Sequence, residues 1–180
     1  MKRITRLITT LVITPTLLIA SQNVSAQTLT PQYRPDYLSV PAAALLPRDN
    51  TIAYDTNGVR MFTTDPGQVV FQAPITLPNW SWITNITLEA VDKSSDPQFG
   101  GFVRVNLREY QFNAFSTLAT VQTDAPTAPG DVRVGAPVGH VVDNDQFSYG
   151  LEVTLFNGAG GPGTVGLYKV VIEYWWPEMF

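Results

Sequence analysis

Few side chains in this sequence have the types and spacing that chemistry demands. His140 is the single histidine, and "GHVVDND" places Asp143 and Asp145 just after it. A histidine-based triad or zinc site needs partners held around the imidazole. The sequence contains neither a G-x-S-x-G nucleophile elbow nor an HExxH helix, so a surface or core-edge histidine is expected. Glu89, Glu109, Glu152 and Glu173 fall singly on alternating segments, and no pair of carboxylates is set up for acid–base work. Catalysis is therefore not expected, and catalytic residues are assigned nowhere. Two acidic turns offer oxygen donors for calcium, "DND" with Asp143 and Asp145, and "DKSSD" with Asp92 and Asp96. Neither has the twelve-residue EF-hand pattern, and side-chain capping of the turn backbone explains both, so they stand as weak calcium candidates only. "GAGGPG", Gly158–Gly163, spells a dinucleotide fingerprint by letter, but a strand-like run follows it rather than a helix. It is expected to be a flexible hairpin loop. No cofactor is implied.

Indoles remain as candidate binding groups. In "VVIEYWWPEMF", Tyr168, Val170, Ile172, Tyr174 and Trp176 share one face, and Lys169, Val171, Glu173 and Trp175 the other. The charged residues mark the wet side, which makes Trp175 the exposed indole and Trp176 the packed one. In "NWSW", Trp82 falls in phase with Ile86 and Leu88. Exposed flat indoles are surfaces on which sugar rings stack, so Trp175 is a candidate ligand-binding residue.

Period-two alternation dominates the elements that must carry these groups. "FSYGLEVTLF" sets Phe147, Tyr149, Leu151, Val153 and Leu155 against Ser148, Gly150, Glu152 and Thr154. "FVRVNLREY" and "WITNITLEAV" alternate in the same way. Each segment wants one dry and one wet face, the habit of antiparallel sheets. Further strands are expected at 59–63, 68–73, 116–123 and 132–142, with "DTNG", "TTDPG" and "DAPTAPGD" as turns between runs. Helical spacing is absent beyond the N-terminal segment. Short strands at this spacing predict a single antiparallel β-sandwich or jelly roll.

Lys2, Arg3 and Arg6, the apolar run Leu7–Ala20 and Val24-Ser25-Ala26 together read as a signal peptide over residues 1–26. An extended lead-in over 27–39 and a β-sandwich domain over 40–180 are expected to follow. All 15 acidic residues but only eight basic ones lie beyond Ala26, a net charge of −7 for that part. Such a chain repels phosphate backbones, so nucleic acid is excluded as a partner. No later apolar run is long enough to span a membrane as a helix. With no cysteine in 180 residues, the core alone must hold the domain.

The order of several short motifs resembles a family of uncharacterised secreted bacterial β-domains. They are Val40-Pro41-Ala42-Ala43 with "LLPRD", "APITLP" at 73–78, "ITNITLEAVDKSSD", "VVDNDQFSYGLEV" and the closing "LYKVVIEY". The match covers roughly Val40–Tyr174. The resemblance implies a secreted, all-β, sandwich-like domain and brings no established activity. Where the family has a small turn after L-P, this chain has Trp80, so the resemblance implies an exposed indole there and makes Trp80 a candidate ligand-binding residue beside Trp175.

The reading is a secreted, non-enzymatic binding or structural protein, with a glycan or protein as its partner. One alternative is a carbohydrate-binding module using Trp80 and Trp175. The other is a small outer-membrane β-barrel, which the chain length suits but which Pro177 and Glu178 would interrupt in its last strand. Self-association through edge strands is also expected, since Lys93 and Lys169 are the only lysines beyond the signal to blunt them.

Overall fold

The computed structural model describes residues 32–49, 53–64, 67–93, 100–123, 130–158, 161 and 163–178. The expected signal peptide and Asp96 lie outside these residues. Alternation of apolar and polar side chains produces eleven strands among the described residues. They are β1 (Gln32–Pro41), β2 (Leu46–Pro47), β3 (Tyr54–Thr56), β4 (Met61–Thr63), β5 (Gln68–Ile75), β6 (Trp82–Asp92), β7 (Gly100–Gln111), β8 (Ala114–Gln122), β9 (Gly130–Val141), β10 (Ser148–Gly158) and β11 (Val165–Glu178). The only described helical element is one 3-10 turn, Ala42–Ala44.

The strands divide between two antiparallel sheets. One runs β3-β4-β11-β6-β9, with β1 also paired to β11, and the other runs β2-β5-β10-β7-β8. Their inner faces meet in one apolar core. Leu151, Val153 and Leu155 of β10 and Val103, Val105 and Leu107 of β7 face Ile86, Leu88 and Ala90 of β6 and Val170 and Ile172 of β11. All are buried to within 1% of full burial. A sandwich follows, as the alternation predicts. Open sheet edges at β8, β9 and β1 replace the seam of a closed barrel, so the barrel alternative is not this architecture.

Three expectations change. The described part of the lead-in is extended and also fully paired, Gln32 to Pro41 against Glu178 to Lys169, so the sandwich begins before Val40. Pro177 does not interrupt the last strand: it sits opposite Tyr33, beyond the last β6 partner, where its missing N–H breaks no ladder. The Gly-rich run after β10 is no hairpin, because β10 and β11 belong to different sheets and the segment crosses between them.

Asp92, a calcium candidate, is fully buried and accepts a 2.8 Å hydrogen bond from the Thr123 hydroxyl. Thr123 in turn accepts from the backbone N–H of Val103. This bond joins β6 of one sheet to the end of β8 in the other, so the Asp92 carboxylate serves the fold. On the outer face of β10, Glu152 is buried between Arg108 and Asn106 of β7, and that face is drier than alternation alone implies.

Phe71 is completely buried and meets Tyr54 edge-on at 5.2 Å. Phe71→Ala removes a ring that nothing nearby replaces. It is expected to lower unfolding free energy by about 3–5 kcal/mol, measured as a fall in the urea midpoint at unchanged slope.

Candidate functional site

The outer face of the six-stranded sheet ends in a row of large apolar side chains. Cross-strand partners in an antiparallel sheet project from the same face. Pro35 pairs with Trp175, Trp175 with Trp82, and Trp82 with Val141. One step along, Tyr33 pairs with Pro177. Ile172 and Tyr174 of β11 turn into the core, which sends Trp175 outward, as its alternation with Glu173 predicts.

Trp82 departs from its expected facing. It is 44% exposed rather than packed with Ile86 and Leu88. The cause is an irregularity in β6: Tyr174 pairs with Ile83 and Glu173 with Asn85, leaving Thr84 as the extra residue. The Thr84 hydroxyl donates to the Glu173 carbonyl at 3.2 Å, which holds the bulge. The extra residue reverses the alternation, so Ile83 is buried and Trp82 turns to solvent. Trp176 is likewise exposed, at 38%, because its inward direction passes beyond the rim of the core.

Trp80 reaches the same face from the turn before β6. Its φ of 66° is left-handed, unusual for a bulky residue and costly by roughly 1 kcal/mol or more. Neighbouring bonds hold that conformation. The Trp80 N–H donates to the Val142 carbonyl at 2.8 Å, and the Val142 N–H to Ser81 at 2.8 Å. Asn144 adds two, its N–H to the Asn79 side-chain oxygen and its carboxamide to the Leu77 carbonyl. With Trp80 placed, Tyr33, Trp80, Trp82, Val141, Trp175 and Pro177 enclose an open groove of about 570 Å³. That lies within the range of small-molecule clefts. None of the six carries a charge.

The structure thus brings Trp80 and Trp175 together, and adds Trp82 and Tyr33, which sequence reasoning placed in the core and in the lead-in. Two tryptophans in "NWSW" were the available signal for Trp82. The bulge at Thr84 hid the change of phase.

His140 lies beneath this end of the sandwich, at the core edge as expected. Its Nε2 is 3.3 Å from the Tyr149 hydroxyl and 3.3 Å from Glu109 Oε2, both on the opposite sheet. The Tyr149 oxygen also accepts the Asp143 N–H at 2.9 Å. Asp143 accepts from the N–H groups of Asp145 and Gln146, a self-capped turn rather than an open set of cation ligands. Among the described residues no cluster of three or more His, Cys, Asp or Glu is placed to hold a metal ion.

Burial holds the Tyr149 hydroxyl above its ordinary value of 10.0, with the charges of Glu109 and Asp143 adding to the rise and the Asp143 N–H opposing it. A pKa raised on folding stabilises fully below the unfolded value, and the contribution is lost as pH climbs through the folded value. The stability advantage of the native chain over Tyr149→Phe is therefore expected to be constant below pH 10 and to shrink above it, in urea titrations across pH. All four tryptophans are at least 38% exposed. Their emission is expected to be solvent-like in the folded state, readily quenched by iodide, and to shift little on unfolding.

No family model matches this sequence, and no curated protein matches it. Among solved structures, the chain is similar to the C-terminal CBM6 of a marine laminarinase from Zobellia galactanivorans, at 14% identity over 76% of this chain and 98% of that one, TM-score 0.49. It is similar to a CBM6 of Clostridium stercorarium solved with cellobiose, at 11% identity over 75% and 92%, TM-score 0.47. A xylan-binding module of Roseburia intestinalis follows at 12% identity over 77% and 96%, TM-score 0.44. At these scores the likeness carries no argument. The fold stands on its strand pairing and the site on its own geometry.

Proposed function

We propose that this protein binds a neutral glycan in the aromatic groove and performs no catalysis on it. The observation that carries this reading is the convergence of Trp80, Trp82, Trp175 and Tyr33 on one uncharged, open groove. Pyranose rings present patches of C–H bonds, which carry slight positive charge, and indole faces carry the negative lobe of the ring quadrupole. Stacking of this kind needs wide, flat and accessible rings, and the indoles here are 60%, 44% and 47% exposed at Trp80, Trp82 and Trp175. The strained backbone at Trp80 also fits a role in binding, since folding alone gains nothing from a solvent-facing indole in a left-handed turn. No carboxylate or imidazole lines the groove to act as acid or base. Binding outside the cytoplasm, on a cell-surface or environmental polysaccharide, accords with the export signal read from the sequence.

The test is a glycan array followed by titration calorimetry with the full chain. Wild type is expected to bind neutral polysaccharides. Trp80→Ala and Trp175→Ala are each expected to weaken binding between severalfold and about tenfold, as the loss of one stacking contact implies. Trp176→Ala, on a side chain outside the groove, is expected to bind as wild type does. Retention of a protein, with no glycan bound by wild type, would replace the sugar reading by a protein-docking one.

A further inference from the structure

The row of side chains beside the aromatic row, on the same outer face, is polar. Tyr37 pairs with Glu173, Glu173 with Asn85, and Asn85 with Pro137. Glu173 precedes Trp175 by two residues on β11, roughly 6.6 Å along the strand. Ile172 and Tyr174 point into the core, so the Glu173 carboxylate shares the face of the Trp175 indole. Asn85 shares it too, since its carboxamide donates to the Thr87 hydroxyl at 3.2 Å on the face opposite Ile86 and Leu88.

Several other carboxylates in the described part are engaged. Glu89 holds Lys169, Glu152 holds Arg108, Glu109 faces His140, and Asp131 accepts from Tyr168. Among the described residues, nothing donates to the half-buried carboxylate of Glu173. Its backbone carbonyl is occupied by Thr84, which pins the residue in place at the bulge. A partly desolvated acceptor, carried on a pinned backbone next to an apolar platform, is an arrangement that recognises a hydroxylated ring.

We infer that Glu173 and Asn85, one row beyond the six residues that enclose the groove, bind the hydroxyls of a ligand stacked in it. The ligand is then a neutral oligosaccharide long enough to stack on Trp175 and still place hydroxyls over Glu173. This rests on the glycan reading of the groove. The carboxylate accepts hydroxyl protons in charge-assisted bonds, stronger than those between neutral groups. Its charge also repels glycans bearing carboxylates or sulfates, which makes Glu173 a specificity-determining residue as well as a contact.

Calorimetry on the full chain tests this with cellohexaose, xylohexaose and mannohexaose as neutral probes and hexagalacturonate as the anionic one. For the neutral hexamer bound best, Glu173→Ala is expected to weaken binding about tenfold, and Glu173→Gln and Asn85→Ala severalfold, with melting temperatures unchanged. Glu173→Gln is also expected to narrow the preference for the neutral over the anionic hexamer. Wild-type affinity in the Glu173 and Asn85 variants, together with loss in Trp175→Ala, would overturn this inference and leave the groove reading intact. Failure of wild type to bind any neutral hexamer would remove both.

Discussion

β11 pairs along both of its sides, with β6 on one and with β1 and β4 on the other. Its inward residues, Val170, Ile172 and Tyr174, are held by the core. That burial fixes the rotation of the strand, and the rotation decides what the outer face displays. A one-residue slip would bury Glu173 and Trp175 and expose three large apolar side chains, at a cost no surface contact could offset. The same pairing sets Tyr33 and Trp82 on either side of the strand at the height of Trp175 and Pro177. The groove is thus a consequence of core packing, expressed on the far side of the sheet.

The bulge at Thr84 is the second device. Without it, β6 would present Trp82 to the core. With it, Ile83 takes the inward position and the indole turns outward beside Trp175. The turn bearing Trp80 is bonded to the loop after β9 through Val142 and Asn144, and Tyr149 anchors that loop from the other sheet. Platform, turn and cross-sheet contact at His140 thereby stand on a shared foundation, and the site is held by rigid strands rather than by free loops.

The outer face grades from aromatic to polar to ionic along β6 and β11. The aromatic row is followed by Glu173 and Asn85, and farther on Glu89 is paired with Lys169 and Arg133. Ion pairs close the charged row upon itself, whereas Glu173 keeps its acceptor capacity. This gradient separates the ion-paired part of the sheet from its open aromatic part.

The period-two rhythm and the lack of helical spacing determined the all-β sandwich, because a half-buried strand must alternate and nothing distant can change that requirement. Local rhythm likewise placed Trp175 on the wet face, and Trp80 stood out because it replaces the small turn residue of the domains this sequence resembles. The register between Tyr33 and Pro177, some 140 residues apart in sequence, was decided only in the folded chain, since pairing distant strands depends on the whole core. So was the outward turn of Trp82, because one extra residue in a ladder inverts every facing before it, and a bulge leaves no mark on composition. Two indoles could be named from the letters. Their meeting in one groove required two sheets packed face to face.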